Sequence, residues 1–236
     1  MSDPIVKIER VVKVYRVGGE NFTALHEISL KVEDGSFMSF VGPSGSGKTT
    51  ILNLIGGLDQ PSSGDILFDG KRLGSLSRRE RASYRRENVG FIFQTYNLLP
   101  VYSVYENVLF PFLLNGMKEA VVRDRVIEMI RLVGLESQVR KKPSELSGGQ
   151  CQRVAIARAL VKKPRLVLAD EPTANLDSEN SYQILELMRD LNRQLNVAFI
   201  FSTHDERVTR YVQREVRLED GRIAWDKCRN HVGGLE

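Results

Sequence analysis

Apolar and polar residues alternate along the start of the chain and change period further on. Four β-rich segments open it, Ile5 to Glu9, Val11 to Arg16, Ile28 to Val32 and Ser36 to Val41, set apart by Gly18-Gly19 and Asp34-Gly35 turn signals. They predict an antiparallel edge or small sheet. A glycine-rich loop begins at Gly42 and leads into a helix expected over Lys48 to Gly56, so strand, loop and helix start an α/β core. Gly64 to Lys71 predicts a further hairpin. From about Ser77 to Val139 the pattern turns helical, with apolar periodicity over Val104 to Leu114 and Val121 to Val133. A helix from Gly149 to Val161, a strand from Arg165 to Ala169, a helix from Glu179 to Gln194 and a strand from Val197 to Ser202 follow. Both strands are continuously apolar, as a parallel sheet covered on both faces requires. One unit over 1–236 is expected, with an α/β core at about 1–94 and 146–236 that includes the antiparallel β subdomain, and a helical lobe inserted at about 95–145.

Composition narrows the class. With 42% hydrophobic and 27% charged residues in 236, the chain fits a folded domain rather than a disordered one. The longest apolar stretch, near Val108 to Leu114, contains a proline and falls well short of the roughly 18 residues of a membrane span. Met-Ser-Asp-Pro at the start has no secretory pattern, so residence in the cytoplasm is the expectation. Cys151 and Cys228 stand far apart without metal-ligand spacing, which points to plain thiols. A net charge of +4 discriminates little among partners. The cluster Arg78, Arg79, Arg81, Arg85 and Arg86 alternates with Glu80 and Glu87 as a solvated helix face would, partner docking being the alternative.

Residues 42 to 49 read Gly-Pro-Ser-Gly-Ser-Gly-Lys-Thr, a full match to the phosphate-loop pattern G-x-x-x-x-G-K-[ST], placed after an apolar strand and before a helix. Gly42, Gly45 and Gly47 let backbone N–H groups turn around an anion, with Pro43, Ser44 and Ser46 completing the loop and a helix dipole aimed at the same place. Lys48 supplies charge for the β- and γ-phosphates, and the Thr49 hydroxyl, ahead of Thr50, suits Mg²⁺. A nucleoside triphosphate is implied. The rival dinucleotide fingerprint needs glycine at the position held by Thr50.

The apolar strand Leu166 to Ala169 ends in Asp170 and Glu171, where open α/β sheets place ligands. If strand geometry persists to its end, alternation points the two acids apart, giving Asp170 the metal, commonly through water, and Glu171 the attacking water; a solvated strand end is the alternative. His204 follows the next apolar strand and can donate to a γ-phosphate, or simply start a helix in a polar pocket. His26 and His231 have no comparable setting. Leu146-Ser147-Gly148-Gly149-Gln150 places a hydroxyl and two glycines at another helix start. That makes a second anion site or a plain N-cap by Ser147. One triphosphate cannot be wrapped by both sites of one chain, so the second favours nucleotide held by another copy.

These residues together resemble the ABC ATPase family over almost the whole chain. The resemblance implies a P-loop NTPase fold that binds ATP with Mg²⁺, hydrolyses it as a homodimer, and serves an integral membrane permease from the cytoplasmic face of the inner membrane. Ser147, Gly148, Gly149 and Gln150 match the signature motif, which contacts ATP on the opposite subunit. Gln94 resembles the Q-loop residue that senses Mg²⁺ or water, Asp177 the D-loop aspartate at the dimer interface, His204 the switch histidine, and Tyr15 the aromatic that stacks on adenine. Cys151 departs from the pattern, since relatives usually carry a polar or charged residue there. Gly56-Gly57-Leu58-Asp59 with Pro61 and Gly64, Asn97 to Pro100, Glu106-Asn107-Val108 and Ala169 to Asp177 are similar to cassettes of the lipoprotein-release and macrolide-export type. Cell-division cassettes share much of this. ATPases that remodel nucleic acid or ribosomes usually carry two cassettes or a coiled-coil insertion; this chain has neither, so no nucleic-acid partner is expected.

Overall fold

The computed structural model describes residues 4–228, so the two ends of the expected 1–236 unit, with His231, lie outside the described residues. Two sheets organise it. The smaller is antiparallel, formed by β1 (Val6–Val17), β2 (Glu20–Val32), β4 (Ser63–Phe68) and the short β5 (Lys71–Arg72) in the order β2-β1-β4-β5. The two opening segments of the sequence reading are one strand, broken in register rather than in path. Arg10 at its middle has a φ of 46° and donates its N–H to the Ser29 hydroxyl at 2.9 Å, which marks an irregularity in the ladder.

The second sheet holds β3 (Phe37–Val41), β6 (Val89–Ile92), β7 (Leu166–Asp170), β8 (Ala198–Thr203), β9 (Arg214–Glu219) and β10 (Arg222–Cys228) in the order β10-β9-β3-β8-β7-β6. All pairings are parallel except β10 with β9. Ser36 to Val41 therefore belongs at the centre of the parallel sheet, not with the antiparallel strands that precede it. Its five consecutive buried residues, Ser39 among them, give the reason, because only a strand covered on both faces is buried throughout.

Alternation along these strands feeds two cores. Phe37, Val167, Ala169, Phe199 and Phe201 face the helical side, while Met38, Phe40, Leu166, Leu168, Ala198 and Ile200 face the antiparallel sheet and α1 (Lys48–Ile55). Phe37 and Phe201 meet edge to face with centroids 4.9 Å apart, on the side covered by α5 (Gly148–Leu160) and α6 (Ser178–Leu195). The expected helices are present as α3 (Val104–Leu113), α4 (Glu119–Leu132), α5 and α6, and α2 (Arg78–Asn88) carries the arginine cluster. Arg81 and Arg85 donate to the carbonyls of Leu76 and Gly57, so two of its five cations serve this chain's own backbone. β6 interrupts the stretch expected to be wholly helical. Its four residues pair with β7 at the sheet edge, a tertiary partner that periodicity cannot register.

The C-terminal part goes beyond the elements expected. After α7 (Glu206–Tyr211), β9 and β10 form a hairpin whose turn residues Asp220 and Gly221 have φ of 44° and 71°. Two positive φ values with Asp-Gly chemistry are the two-residue hairpin turn that follows strand twist.

Asn107 ties the entry to α3 together. It is fully buried, its Oδ1 accepts the Leu99 N–H at 2.8 Å, and its Nδ2 donates to the carbonyls of Leu99, Tyr102 and Ser103 at 3.0–3.1 Å. Asn107→Ala removes the partner of the Leu99 N–H and of the Tyr102 carbonyl, while the Leu99 and Ser103 carbonyls keep the N–H groups of Tyr102 and of residue 107, so urea unfolding should show a loss of about 2–3 kcal/mol. Hydrogen exchange should quicken first at Leu99.

Candidate nucleotide-binding site

Parallel register aligns the strand ends that matter. Val41 pairs with Thr203, Asp170 with Ser202 and Ala169 with Ile92, so the segments that follow β3, β6, β7 and β8 emerge along one edge. They enclose a cavity of about 690 Å³ lined by Tyr15, Pro43, Ser44, Gly45, Gly47, Lys48, Thr49, Thr50, Gln94, Asp170, Glu171 and His204, among others. Most residues singled out from separate stretches of sequence thus converge on one opening. Gly42 and Ser46 belong to the same loop without lining the cavity. A Cβ on Gly42 would come within 2.1 Å of the Leu218 carbonyl, so the loop can cross β9 there only without a side chain.

Every charged group in the cavity already has a partner within the chain. Lys48 is buried and donates to the loop carbonyls of Gly42 and Pro43, each at 2.8 Å. Burial lowers its pKa, against the pull of Glu171 and Asp170, which favours the charged form. Thr49 Oγ1 donates to both oxygens of the Asp170 carboxylate, at 3.2 and 3.1 Å. Glu171 Oε1 lies 2.7 Å from His204 Nδ1, and Oε2 accepts from Thr203 Oγ1 at 3.1 Å. Strand alternation does not set the direction of Glu171: β7 stops at Asp170, and Glu171 turns into the left-handed region with φ 48°. Its N–H still donates to the Ser202 carbonyl, so the ladder with β8 reaches this amide while the φ of Glu171 has already left the strand.

Tyr15 stands at the cavity rim with its hydroxyl donated to Asp59 Oδ2 at 2.9 Å, and Lys13 bonds the other oxygen of Asp59 at 2.7 Å. Burial and the bond to Asp59 raise the phenol pKa, so it stays a neutral ring. Phe22, its cross-strand neighbour on β2, also lines the cavity, as do Ala24 and Ser202. Sequence reasoning missed these three. Phe22 had a detectable signal, an exposed aromatic directly opposite Tyr15 across the Gly18-Gly19 turn; Ala24 and Ser202 have none.

Ser147, Gly148, Gly149, Gln150 and Asp177 do not line this cavity. Ser147 and Gln150 form a capping box at the start of α5, with Ser147 Oγ accepting the Gln150 N–H at 3.3 Å and Gln150 Oε1 accepting the Ser147 N–H at 3.0 Å. Asp177 caps α6 in turn, accepting from the Asn180 N–H at 2.8 Å, a bond that holds its carboxyl below the ordinary range. The two motifs touch. A Cβ on Gly149 would meet Asn180 Oδ1 at 2.7 Å, so the glycine allows the α5 and α6 starts to pack. Gln94 lies beyond β6, and its carbonyl accepts from Asn175 Nδ2 at 2.9 Å, which joins it to the same segment.

Thr49 and Asp170 present hard oxygen donors side by side, which fits Mg²⁺ when phosphate oxygens and water complete the shell. Among the described residues no group of three or more His, Cys, Asp or Glu is placed to hold a metal unaided. A glycine loop, a lysine and a helix N-terminus around one cavity fit a triphosphate.

Comparison with known proteins agrees with that chemistry. A family model described as ABC transporter matches residues 25–174. A dimeric post-hydrolysis structure of the ATP-binding cassette MJ0796 bound to ADP and Pi is 38% identical with a TM-score of 0.86, covering 98% of this chain and 100% of that one. A second dimeric structure of MJ0796, described as a bacterial ABC transporter cassette, matches equally. The structure of cbiO1 from Clostridium perfringens, part of the ABC transporter complex cbiONQ, is 32% identical with a TM-score of 0.86, covering 95% of this chain and 88% of that one. The chain belongs to the ABC transporter family and is an ATP-hydrolysing cassette of it.

Proposed function

We propose that this cassette closes as a homodimer around two ATP molecules and powers a separately encoded integral membrane permease of the lipoprotein-release or macrolide-export type. The observation that carries the dimer is the separation of two anion sites. The phosphate loop lines the cavity while Ser147 to Gln150 do not, so a nucleotide needing both must be capped by another copy. The dimeric MJ0796 structures and the place of cbiO1 in a transporter complex support the assembly. Among the described residues no helix is long and apolar enough to cross a membrane, so the permease supplies the spans. The cassette then sits peripherally on the cytoplasmic face of the inner membrane, with the helical lobe at about 95–145 passing its motion to the permease. The Gly56 to Asp59 and Asn97 to Pro100 segments support the subfamily.

In this reading Tyr15 stacks on adenine, and the amides from Gly42 to Thr50 grip the phosphates. Lys48 exchanges the Gly42 and Pro43 carbonyls for β- and γ-phosphate oxygens. Mg²⁺, when bound, neutralises phosphate charge. Thr49, Gln94 and, through water, Asp170 are the residues that would hold it. Glu171 orients and deprotonates the attacking water, while His204 leaves Oε1 to donate to the charge that develops. Ser147 and Gly149 of the second copy cover the γ-phosphate, with Asp177 at the interface.

Lys48→Ala should weaken ATP binding by about 10- to 100-fold, as loss of a charge-assisted contact implies, and equilibrium titration checks it. Glu171→Gln should lower turnover by about 10²- to 10⁴-fold and hold an ATP-bound dimer visible by size-exclusion chromatography. Unchanged turnover removes Glu171 as base. Mixing Lys48→Ala with Ser147→Arg should restore activity, up to about a quarter of wild type at equal ratio, because each heterodimer assembles one intact site. No recovery at any ratio removes the trans arrangement.

A further inference from the structure

The two oxygens of the Glu171 carboxylate are held by groups of opposite character. Oε1 meets the ring of His204, whose side chain is 72% exposed and so free to leave. Oε2 meets the hydroxyl of Thr203, which is fully buried and does not line the cavity. That hydroxyl has a fixed direction. The Asp205 N–H donates to Thr203 Oγ1 at 3.0 Å and occupies it as an acceptor, which leaves the hydroxyl proton for Glu171 Oε2 at 3.1 Å.

Asp205 is fixed in its turn. Thr173 Oγ1, also fully buried, donates to Asp205 Oδ2 at 3.1 Å, and Arg207 holds the same carboxylate through its backbone N–H and its guanidinium at 2.8–2.9 Å. The end of β8 and the loop after β7 therefore each send a threonine hydroxyl to an acid at the other's strand end, Thr203 to Glu171 and Thr173 to Asp205. Arg207 extends the clasp to the Ser178 hydroxyl at the start of α6, at 3.3 Å. Glu171 sits on left-handed backbone that costs a non-glycine residue about 1 kcal/mol, so its side chain has reason to be held by more than its own rotamer preference.

We propose that Thr203 is a positioning residue for ATP hydrolysis, pinning Oε2 of Glu171 through the Thr203–Asp205–Thr173 clasp so that Oε1 alone turns to the attacking water when His204 leaves it. The proposal rests on Glu171 acting as the base. It divides the labour of two consecutive residues: His204 is the exchangeable partner and Thr203 the fixed one. A carboxylate free to rotate would offer either oxygen at varying distance, and misplacement of about 1 Å costs rate on the order of 10²-fold.

The test uses the full chain and its steady-state ATPase. Thr203→Val keeps the shape and removes the donor; it should lower kcat by about 10- to 100-fold with KM and directly titrated ATP affinity changed less than about two-fold. Thr203→Ser keeps the donor and should return kcat to within about three-fold of wild type. In a Glu171→Gln background, Thr203→Val should lower the residual single-turnover rate no further, because the side chain it holds no longer carries a basic oxygen. If Thr203→Val does not fold, Thr203→Ala is assayed the same way. Wild-type kcat in the folded variant, or a serine variant no faster than the valine one, overturns the proposal. Turnover retained by Glu171→Gln overturns instead the assignment of the base, and the two failures are thereby told apart.

Discussion

Parallel strand register is the constraint on which the site depends. Because β3, β8, β7 and β6 pair in parallel, all four release their chains along the same edge, and the residues that follow them meet without any long loop. The phosphate loop follows β3 directly, Asp170 ends β7, His204 follows β8, and Gln94 lies two residues past β6. An antiparallel partner in the middle of this order would carry one of these groups to the opposite edge. The cores serve the same end: large side chains from alternate positions of each strand anchor both faces, so the strand ends have little freedom to shift against one another.

A cavity holding Lys48, Asp170 and Glu171 in partial burial has to settle their charges before substrate arrives. It does so by internal exchange: lysine on loop carbonyls, threonine on the Asp170 carboxylate, and histidine and threonine on Glu171. Ligand binding then trades partners instead of first uncovering unsatisfied groups, which keeps the desolvation cost of the empty site small. His204 is exposed and Thr203 is not, so the same carboxylate has one partner open to solvent and one enclosed by the protein.

Legibility from sequence followed the range of the interactions. The phosphate loop is a local motif whose glycines, lysine and hydroxyl act within nine residues, and the structure places nearly all of it on the cavity. The acids after β7 and the histidine after β8 could be found because an apolar run followed by a polar residue marks a strand end. What pairs with what could not be read. Ser36 to Val41 follows the antiparallel strands closely in sequence, and its pairing with β8 and β9 is what places it in the parallel sheet. β6 and its four residues depend likewise on β7. The β9–β10 hairpin was readable in principle, since Arg214 to Glu219 alternates and Asp220-Gly221 is a hairpin turn. Thr203, Thr173 and Asp205 acquire meaning only from contacts across two loops, which no spacing rule contains.

The start of α5 shows how two readings that compete in sequence can coexist in structure. A capping box uses Ser147 Oγ as an acceptor and the Gln150 N–H as a donor, so it satisfies the third amide of the helix. The amides of Gly148 and Gly149 precede it and have no acceptor within the helix, because the first turn of any α-helix leaves its N–H groups pointing outward. Ser147 keeps its hydroxyl proton as well, since capping engages only the oxygen lone pair. Capping therefore fixes the direction of the very donors that an anion would need, and it does so in the isolated chain. Gly149 also lets Asn180 and the Asp177 cap approach, so the starts of α5 and α6 pack side by side. In the proposed dimer a cap and an anion site would be the same atoms seen with and without a neighbouring copy, and a residue serving both could be lost through either.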